Sequence, residues 1–403
     1  MSESNILNCQ SDFSEMLFKK MKQISPALKG LEKYEFQYCL DNLTPEKGWE
    51  SVKLKSKEEI QELVNSLEFY KNIQVNHKEK GQILLDEQII HLAQMLFAGL
   101  ATGFYDQGWI KSHFYFDVRG FFFLHRTVYF TEKVLAHLGS EPFKRFEKKQ
   151  VRFERCQGVG YKDFKDANAE VDACFINSIL RLISKKKTPI LLAIAGPTAA
   201  GKTEIVERLS DAFEEAGRHV TSIELDNFLT DRDYREEKGI HSEGKQALHF
   251  DLFIQALEDI SHGKKISIPR YDFVYATSSH DINGNLKPNG IPVEIEPADI
   301  IFIEGNFPFL FVEVAHLIGI KVVYLTDDAV RLKRKWKRDV DYRKKYDVNY
   351  FRNRFFKDQF IMAQIAYIPQ MEVCDMAIGT TSAAIWATAE ISKILGSSRE
   401  IIQ

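Results

Sequence analysis

Long apolar runs are missing from this 403-residue chain. No stretch approaches the roughly 18 consecutive apolar residues that a membrane-spanning helix needs, so a membrane protein is not expected. Cysteine is scarce: Cys9, Cys39, Cys156, Cys174 and Cys374 are odd in number and scattered, with no Cys-x-x-Cys. That pattern excludes a disulfide framework and a zinc site, and predicts reduced thiols in a cytoplasmic protein. Charge of one sign is missing as well. With 54 Lys and Arg against 57 Asp and Glu the formal charge is −3, too little to gather nucleic acid or anionic lipid by a global field. The first residues, Met1-Ser2-Glu3-Ser4-Asn5, lack the basic and apolar segments of a secretory signal. Internal repeats and low-complexity segments are absent too. What remains is the balance of a globular chain, 44% hydrophobic and 28% charged, long enough for two or three domains.

The first 140 residues read as mostly helical. Ser56-Lys57-Glu58-Glu59 has capping-box spacing, and Ile60, Leu63, Val64, Leu67 and Tyr70 continue it as one apolar stripe. A second helix is predicted from Leu84 to Leu100. Between Phe104 and Phe130 the chain is crowded with aromatics, either a buried helix pair or a hairpin turning near Gly120, and packed core in both cases. Residues 141 to 166 interleave Phe143, Phe146 and Phe153 with Lys144, Arg145, Lys148, Lys149, Arg152 and Arg155. Stacking on single-stranded nucleic acid uses such a mixture. Glu141, Glu147 and Glu154 dilute it, and a solvated helix face with buried Phe is the preferred reading. A helix from about Ala167 to Ser184 leads into Lys185-Lys186-Lys187-Thr188-Pro189, where the domain boundary is placed: 1–185 helical and of unknown role, 186–403 a second domain.

Beyond Pro189 the pattern alternates. Ile190 to Ala195 is continuously apolar, as a central parallel strand buried on both faces must be. Further strands are expected at Val220–Leu225, Ile300–Ile303, Lys321–Leu325 and Met376–Ile378. Helices are expected at Lys202–Ala216, Lys245–His262, Ala329–Tyr342, Tyr350–Ala366 and Ser382–Leu395. Alternation of this kind specifies an α/β sheet with helices on both faces.

The first strand and the first helix of that series enclose Gly196-Pro197-Thr198-Ala199-Ala200-Gly201-Lys202-Thr203, which fits G-x-x-x-x-G-K-[ST] in the strand-to-helix context the motif requires. The glycines let backbone N–H groups turn inward around phosphate oxygens beside a helix N-terminus. Lys202 is then expected to reach the β- and γ-phosphates and the Thr203 hydroxyl to bind Mg²⁺. No Asn-Lys-x-Asp follows for guanine recognition. The loop also resembles that of tRNA prenyltransferases, but their Asp-Ser-x-Gln is here Leu225-Asp226-Asn227-Phe228.

Over roughly 188–381 an ordered series of segments resembles the phosphoribulokinase/uridine kinase family. Asp226-Asn227-Phe228 is similar to its Asp-x-Phe, and Ala247-Leu248-His249-Phe250-Asp251-Leu252-Phe253 opens the next helix in the family manner. Pro269-Arg270-Tyr271-Asp272-Phe273 resembles Pro-x-Tyr-Asp-Phe, and Ile301-Phe302-Ile303-Glu304-Gly305 its strand ending in Glu-Gly. Arg331-Leu332-Lys333-Arg334-Lys335 with Arg338-Asp339 and Arg343 resembles its lid, and Tyr367-Ile368-Pro369 with Cys374-Asp375-Met376 the end of the domain.

The resemblance implies an α/β P-loop kinase behind a mostly α-helical N-terminal domain, using ATP and Mg²⁺ to phosphorylate a hydroxyl of a small metabolite. It assigns Asp226, Lys202 and Arg338 to catalysis, and Thr203 with Glu304 to the metal. Residues 196–203 with Arg334, Lys335 and Arg343 fall to ATP. Asp226, Phe228, Tyr271, Phe273, Arg338, Arg343 and Lys345 fall to the acceptor. Two lid positions where relatives usually carry Arg are Lys here, which keeps charge but loses the bidentate fork. The acceptor is expected to be a nucleoside stacked near Tyr271 and Phe273. Where uridine kinases show His and then Arg, however, this chain has Ala276 and Ser278. A sugar, a sugar phosphate or a pantothenate-like alcohol is the alternative, and an ATP-sensing protein acting through its N-terminal domain a third. Relatives commonly self-associate, and the apolar C-terminal helix carrying Ile385, Trp386, Ile391, Ile394 and Leu395 is read as an interface between copies or a cover for the sheet.

Overall fold

A computed structural model describes residues 7, 10–66, 75–77, 83–118, 121–147, 161–184, 186–240, 244–327, 330–331, 334–335 and 361–396. The chain divides into two compact units, Met1–Val128 with Asp328–Ile361, and Tyr129–Asp327 with Met362–Gln403.

In the first unit the described residues form helices α1 (Gln10–Ile24), α2 (Lys33–Asp41), α3 (Lys57–Asn65), α4 (Glu87–Thr102) and α5 (Gln107–His113). Two short antiparallel hairpins join them, β1 (Val75–His77) with β2 (Ile83–Leu85), and β3 (Phe114–Asp117) with β4 (Phe122–His125). The capping box holds: Ser56 Oγ accepts from Glu59 N at 3.1 Å, and Glu59 Oε2 accepts from Ser56 N at 2.7 Å. The helix it starts ends at Asn65, so the expected stripe is seen through Val64, and Leu67 and Tyr70 lie outside the described residues. The helix expected from Leu84 begins at Glu87, because Ile83–Leu85 pair as strand β2 and Asp86 caps the helix through Gln88 N. From Leu92 to Ala101 α4 is buried all round, as an apolar helix at the centre of a core must be. The aromatic stretch forms a hairpin. Phe97 lies at its hub, with ring centroids 5.9 Å from Phe116, 5.6 Å from Phe121 and 5.2 Å from Phe123.

The second unit is built on a sheet of seven strands: β5 (Lys144–Arg145), β6 (Ile190–Ala195), β7 (Val220–Glu224), β12 (Ile300–Gly305), β13 (Ile320–Leu325), β14 (Met376–Gly379) and β15 (Ala384–Ala387). Their spatial order is β5-β15-β14-β13-β6-β12-β7, with β14 to β7 parallel and β15 antiparallel to both of its neighbours, β14 and the edge strand β5. Strand β6 lies between β13 and β12, and the chain runs from it to β7 on one side before returning to β13 on the other. Loops at the carboxyl ends therefore part beside β6, the place where open α/β sheets take ligands. Alternate strand residues feed two cores. Leu192, Ile194, Phe302 and Val322 face α7 (Tyr161–Ile183), α8 (Lys202–Glu215) and α13 (Ala389–Gly396). On the other face Leu191, Ala193, Ile301 and Ile303 meet α6 (Glu132–Leu138) and α10 (Phe250–Ser261). The remaining short helices of this unit are α9 (Arg232–Glu237), α11 (Val312–Ala315) and α12 (Ile368–Met371).

Several expectations shift. The compact units do not part at 185/186: residues from Tyr129 onward group with the second, because α6 and α7 bury their apolar faces on its sheet. In the 141–166 stretch, Lys144–Arg145 pair with Ala384–Ile385 as an edge strand instead of starting a helix, and residues 148–160 lie outside the described set. The helix expected at Lys245–His262 is a 3₁₀ turn, Lys245–Ala247, followed by α10. The one expected at Ser382–Leu395 is split. Ile385 and Trp386 sit on β15, buried on both faces, while Ile391 and Leu395 on α13 cover the sheet. Of the helices expected at Ala329–Tyr342 and Tyr350–Ala366, residues 330–331, 334–335 and 361–366 are described; Ala363–Tyr367 forms a π-helical turn that runs into α12. Four short antiparallel strands with no clear sequence signal, β8 (Ile266–Ile268), β9 (Tyr271–Asp272), β10 (Thr277–Ser278) and β11 (Val293–Ile295), make a small lobe beside the sheet. No helix among the described residues is long and apolar enough to cross a membrane.

Candidate active site

The loop after β6 has the backbone that its glycines allow. Gly196 has φ +156°, and a Cβ there would run into the carbonyl oxygen of Tyr324 on β13. Gly201 has φ +104° at the N-cap of α8, and Ala199 takes φ +61° between them. The loop is also held from outside: Thr326 Oγ1 donates to Ala200 O at 2.8 Å and shares a 2.7 Å hydrogen bond with Thr380 Oγ1. Lys202 arches over the loop, its Nζ donating to Gly196 O at 2.8 Å and Pro197 O at 3.3 Å, with Asn306 Oδ1 also at 3.3 Å.

Beside it, the Thr203 hydroxyl donates to Glu304 Oε1 at 3.0 Å. Glu304 ends β12 and is 8% exposed, and its second oxygen is buried without a hydrogen-bond partner among the described residues. Burial lifts its carboxyl above the usual carboxylate range; Lys202 and the Thr203 bond oppose that, while Glu224 and Asp226 add to it. Burial next to Asp226 likewise raises Glu224. A buried acceptor atom left over, beside a hydroxyl and in negative surroundings, fits a hard cation. Among the described residues no three His, Cys, Asp or Glu side chains are placed to hold a metal on their own.

Asp226 lies in a 3₁₀ turn, Leu225–Phe228, directly after β7. The next side chain ties that turn to the lobe: Asn227 Oδ1 accepts from Tyr271 N at 3.2 Å. Tyr271 is only 6% exposed and its hydroxyl accepts from Arg235 Nη2 at 3.2 Å, so its ring is mainly a wall. Phe273, at 39% exposed and edge-on to Tyr271 with centroids 5.2 Å apart, is the aromatic that faces outward. Phe228, expected at the acceptor, is instead fully buried with its ring 4.9 Å from Phe253. Ala276 and Ser278 are 6% and 4% exposed. Ser278 Oγ faces His249 Nε2 at 3.2 Å, and burial, helped by His280, drops the His249 imidazole to about 4 and keeps it neutral at pH 7.

Of the expected lid cations, Arg334 and Lys335 lie in the described helical stretch and group with the first unit, while Arg338, Arg343 and Lys345 lie outside the described residues. Two residues at the site had no motif to announce them. Asn306 stands beside Lys202, and Gln370 holds the loop that carries it. Each is a polar residue in an apolar context, a signal without an address until the chain folds.

A family model described as Phosphoribulokinase / Uridine kinase family matches residues 191–384. The uridine kinase of Brevibacillus brevis is 32% identical over 158 residues, 38% of this chain and 68% of that protein. The uridine kinase of Lactobacillus helveticus is 28% identical over 167 residues, 40% of this chain and 72% of its own length. Among solved structures, phosphoribulokinase from Rhodobacter spheroides aligns with 18% identity and a TM-score of 0.36, over 48% of this chain and 70% of its own. With its P-loop, the Glu304 strand end and the Asp226 turn in this order on one sheet, the chain belongs to the phosphoribulokinase/uridine kinase family, phosphotransferases acting on a hydroxyl group.

Proposed function

We propose that this protein is an ATP- and Mg²⁺-dependent kinase that transfers the γ-phosphoryl group to a hydroxyl of a small metabolite, with a nucleoside as the first acceptor. The observation that carries the reading is the pairing of Thr203 with a buried, half-satisfied Glu304 at the foot of the Lys202 loop. When bound, Mg²⁺ would be held through Thr203 and Glu304 and would neutralise charge on the β- and γ-phosphates. Lys202 exchanges its own loop carbonyls for phosphate oxygens, so its ammonium is positioned before the nucleotide arrives. Residues 196–203 wrap the phosphates with backbone N–H groups. Asp226, at the carboxyl end of β7, accepts the acceptor's hydroxyl proton as the oxygen attacks phosphorus. Arg338 stabilises the transferring group, with Arg334, Lys335, Arg343 and Lys345 completing the lid. Phe273 offers an exposed face to the acceptor.

One observation favours a second acceptor class. Ala276 and Ser278 are buried, and Ser278 spends its hydroxyl on His249, so neither reaches a nucleobase. A site without such groups forfeits discrimination of roughly 10⁴-fold. A sugar, sugar phosphate or pantothenate-like alcohol therefore remains the second reading.

The test is ADP release with Mg²⁺-ATP across nucleosides, sugars, sugar phosphates and pantothenate. Turnover that falls by about 10²–10⁴-fold in Asp226→Asn, with ATP still bound, supports the kinase and identifies the acceptor. Tight ATP binding without turnover on any acceptor would instead point to an ATP-sensing protein working through its N-terminal domain.

A further inference from the structure

Asn306 follows Glu304 and Gly305 at the end of β12, and its Oδ1 lies 3.3 Å from Lys202 Nζ. Glu304, two residues earlier, bonds the hydroxyl of Thr203. The loop after β12 thus addresses both P-loop side chains, one through a carboxylate and one through a neutral amide. Because a P-loop lysine reaches the β- and γ-phosphates, a side chain touching its ammonium stands at the edge of the same phosphate space.

The backbone beneath Asn306 is pinned. Gln370 is fully buried, and two of its three side-chain bonds serve this corner. Its Nε2 donates to Asn306 O at 3.0 Å and to Ala366 O at 2.9 Å, and its Oε1 accepts from Phe309 N at 3.2 Å. Gly305 is pressed against Leu225, with only 2.6 Å between a built Cβ and that residue's own, while Phe307 and Phe309 are buried in the core. The backbone that carries Asn306 is thus held independently of where the Lys202 ammonium goes. A fully buried glutamine is uncommon, and one that bonds both ends of the four-residue segment 306–309 is there to hold it.

The geometry points to Asn306 as a further catalytic residue, whose side-chain N–H bonds an oxygen of the transferring phosphoryl group, and to Gln370 as the residue that positions it. This rests on the kinase reading above. In the transition state the transferring group spreads its charge over three equatorial oxygens in a planar arrangement that bound ATP lacks, so a fixed neutral donor placed for that arrangement favours the transition state over bound ATP. The amide neither takes nor gives a proton, and the transfer balances as before: the acceptor oxygen bonds phosphorus, the bridging oxygen leaves with ADP, and the hydroxyl proton goes to Asp226.

Steady-state kinetics and calorimetric ATP binding test this on the full chain, using the acceptor that gives turnover. Asn306→Ala should lower kcat about 10- to 100-fold, the worth of one hydrogen bond to a charged group, with an unchanged melting temperature. Its Kd for ATP should stay within about two-fold of the parent, as expected for a contact made only in the transition state. Gln370→Met, which keeps the volume, should lower kcat in the same direction, and the double variant should be no slower than Asn306→Ala alone. A parent-like kcat in Asn306→Ala, or a loss confined to ATP affinity, overturns the catalytic assignment. A Gln370→Met loss that adds in full to that of Asn306→Ala overturns the positioning role. If the unaltered protein turns over no acceptor at all, the kinase reading fails and takes this assignment with it. An active parent with an unimpaired Asn306→Ala sinks the assignment alone.

Discussion

Glu304 is a carboxylate held where a carboxylate is expensive. Burial raises its pKa, so between its unfolded value and the raised folded one the native chain holds more protons than the unfolded chain. Stability therefore falls as pH rises through that window and stays at the lower level above it. Glu304→Gln removes the charge and should raise the melting temperature of the nucleotide-free protein at pH 7–8, the gain shrinking toward pH 4. The same substitution should weaken Mg²⁺-dependent turnover about 10- to 100-fold, as losses in a metal's surroundings usually do. A scanning thermal melt against pH and a Mg²⁺ titration of rate check the two halves. A destabilised Glu304→Gln would show that the buried oxygen has a partner that matters in the free protein. Gly196 illustrates the opposite kind of constraint: its place is dictated by backbone alone, since any Cβ meets the Tyr324 carbonyl.

At the scale of elements, α7 is the piece whose allegiance matters most. It lies outside the matched family segment, yet it fastens the P-loop helix to the sheet. Asp172 on α7, 4% exposed, accepts from Tyr324 Oη at 2.7 Å on β13 and from Arg208 Nη1 at 2.5 Å on α8. Burial outweighs both partners and lifts the Asp172 carboxyl above its ordinary range, so the ion pair compensates for a charge the core does not want. Removing one partner should be worse than never having had the pair. Arg208→Ala is expected to cost about 2–3 kcal/mol at pH 7, and less at acid pH where Asp172 takes up a proton. Urea unfolding at pH 7 and pH 4.5 measures both, and equal losses at the two pH values would refute an ionic origin. The antiparallel lobe is the other element of consequence. Its strands are two or three residues long, and the Asn227 bond to Tyr271 N is what brings it to the Asp226 turn.

On the scale of the whole molecule, the described residues of each compact unit bury their own core. The first is an aromatic cluster around Phe97 within residues 13–124, and the second is split by the seven-stranded sheet. Each compact unit buries a core of its own and should melt on its own. Calorimetry is expected to resolve two transitions, and Phe97→Ala, worth about 3–5 kcal/mol, should lower one of them only. ATP should raise the other. A single transition that moves as a whole in both experiments would mean that the units fold as one.

What the sequence could determine is whatever depends on a residue and its near neighbours. The Ser56 capping box, the all-apolar β6 and the phosphate loop are decided within about eight residues by hydrogen bonding, two-faced burial and backbone sterics, and each was legible as such. The order of the strands β6, β7, β12, β13 and β14 followed, because burial periodicity is local. The tertiary structure alone decided matters that turn on partners far along the chain. Ile385 and Trp386 read as helix because their apolar character fits either form, and pairing of β15 with β14 made them strand. Phe228 is read from its motif alone, and only the fold sets its ring against Phe253. The compact units part at Val128 because α6 and α7 find their apolar partners on the sheet, whereas the polar lysine run near 185 marks only a local break. Asn306, Gln370 and Asp172 become meaningful through bonds spanning 104, 64 and 152 residues. Contacts of that length are set by which surfaces pack together, and no local pattern records them.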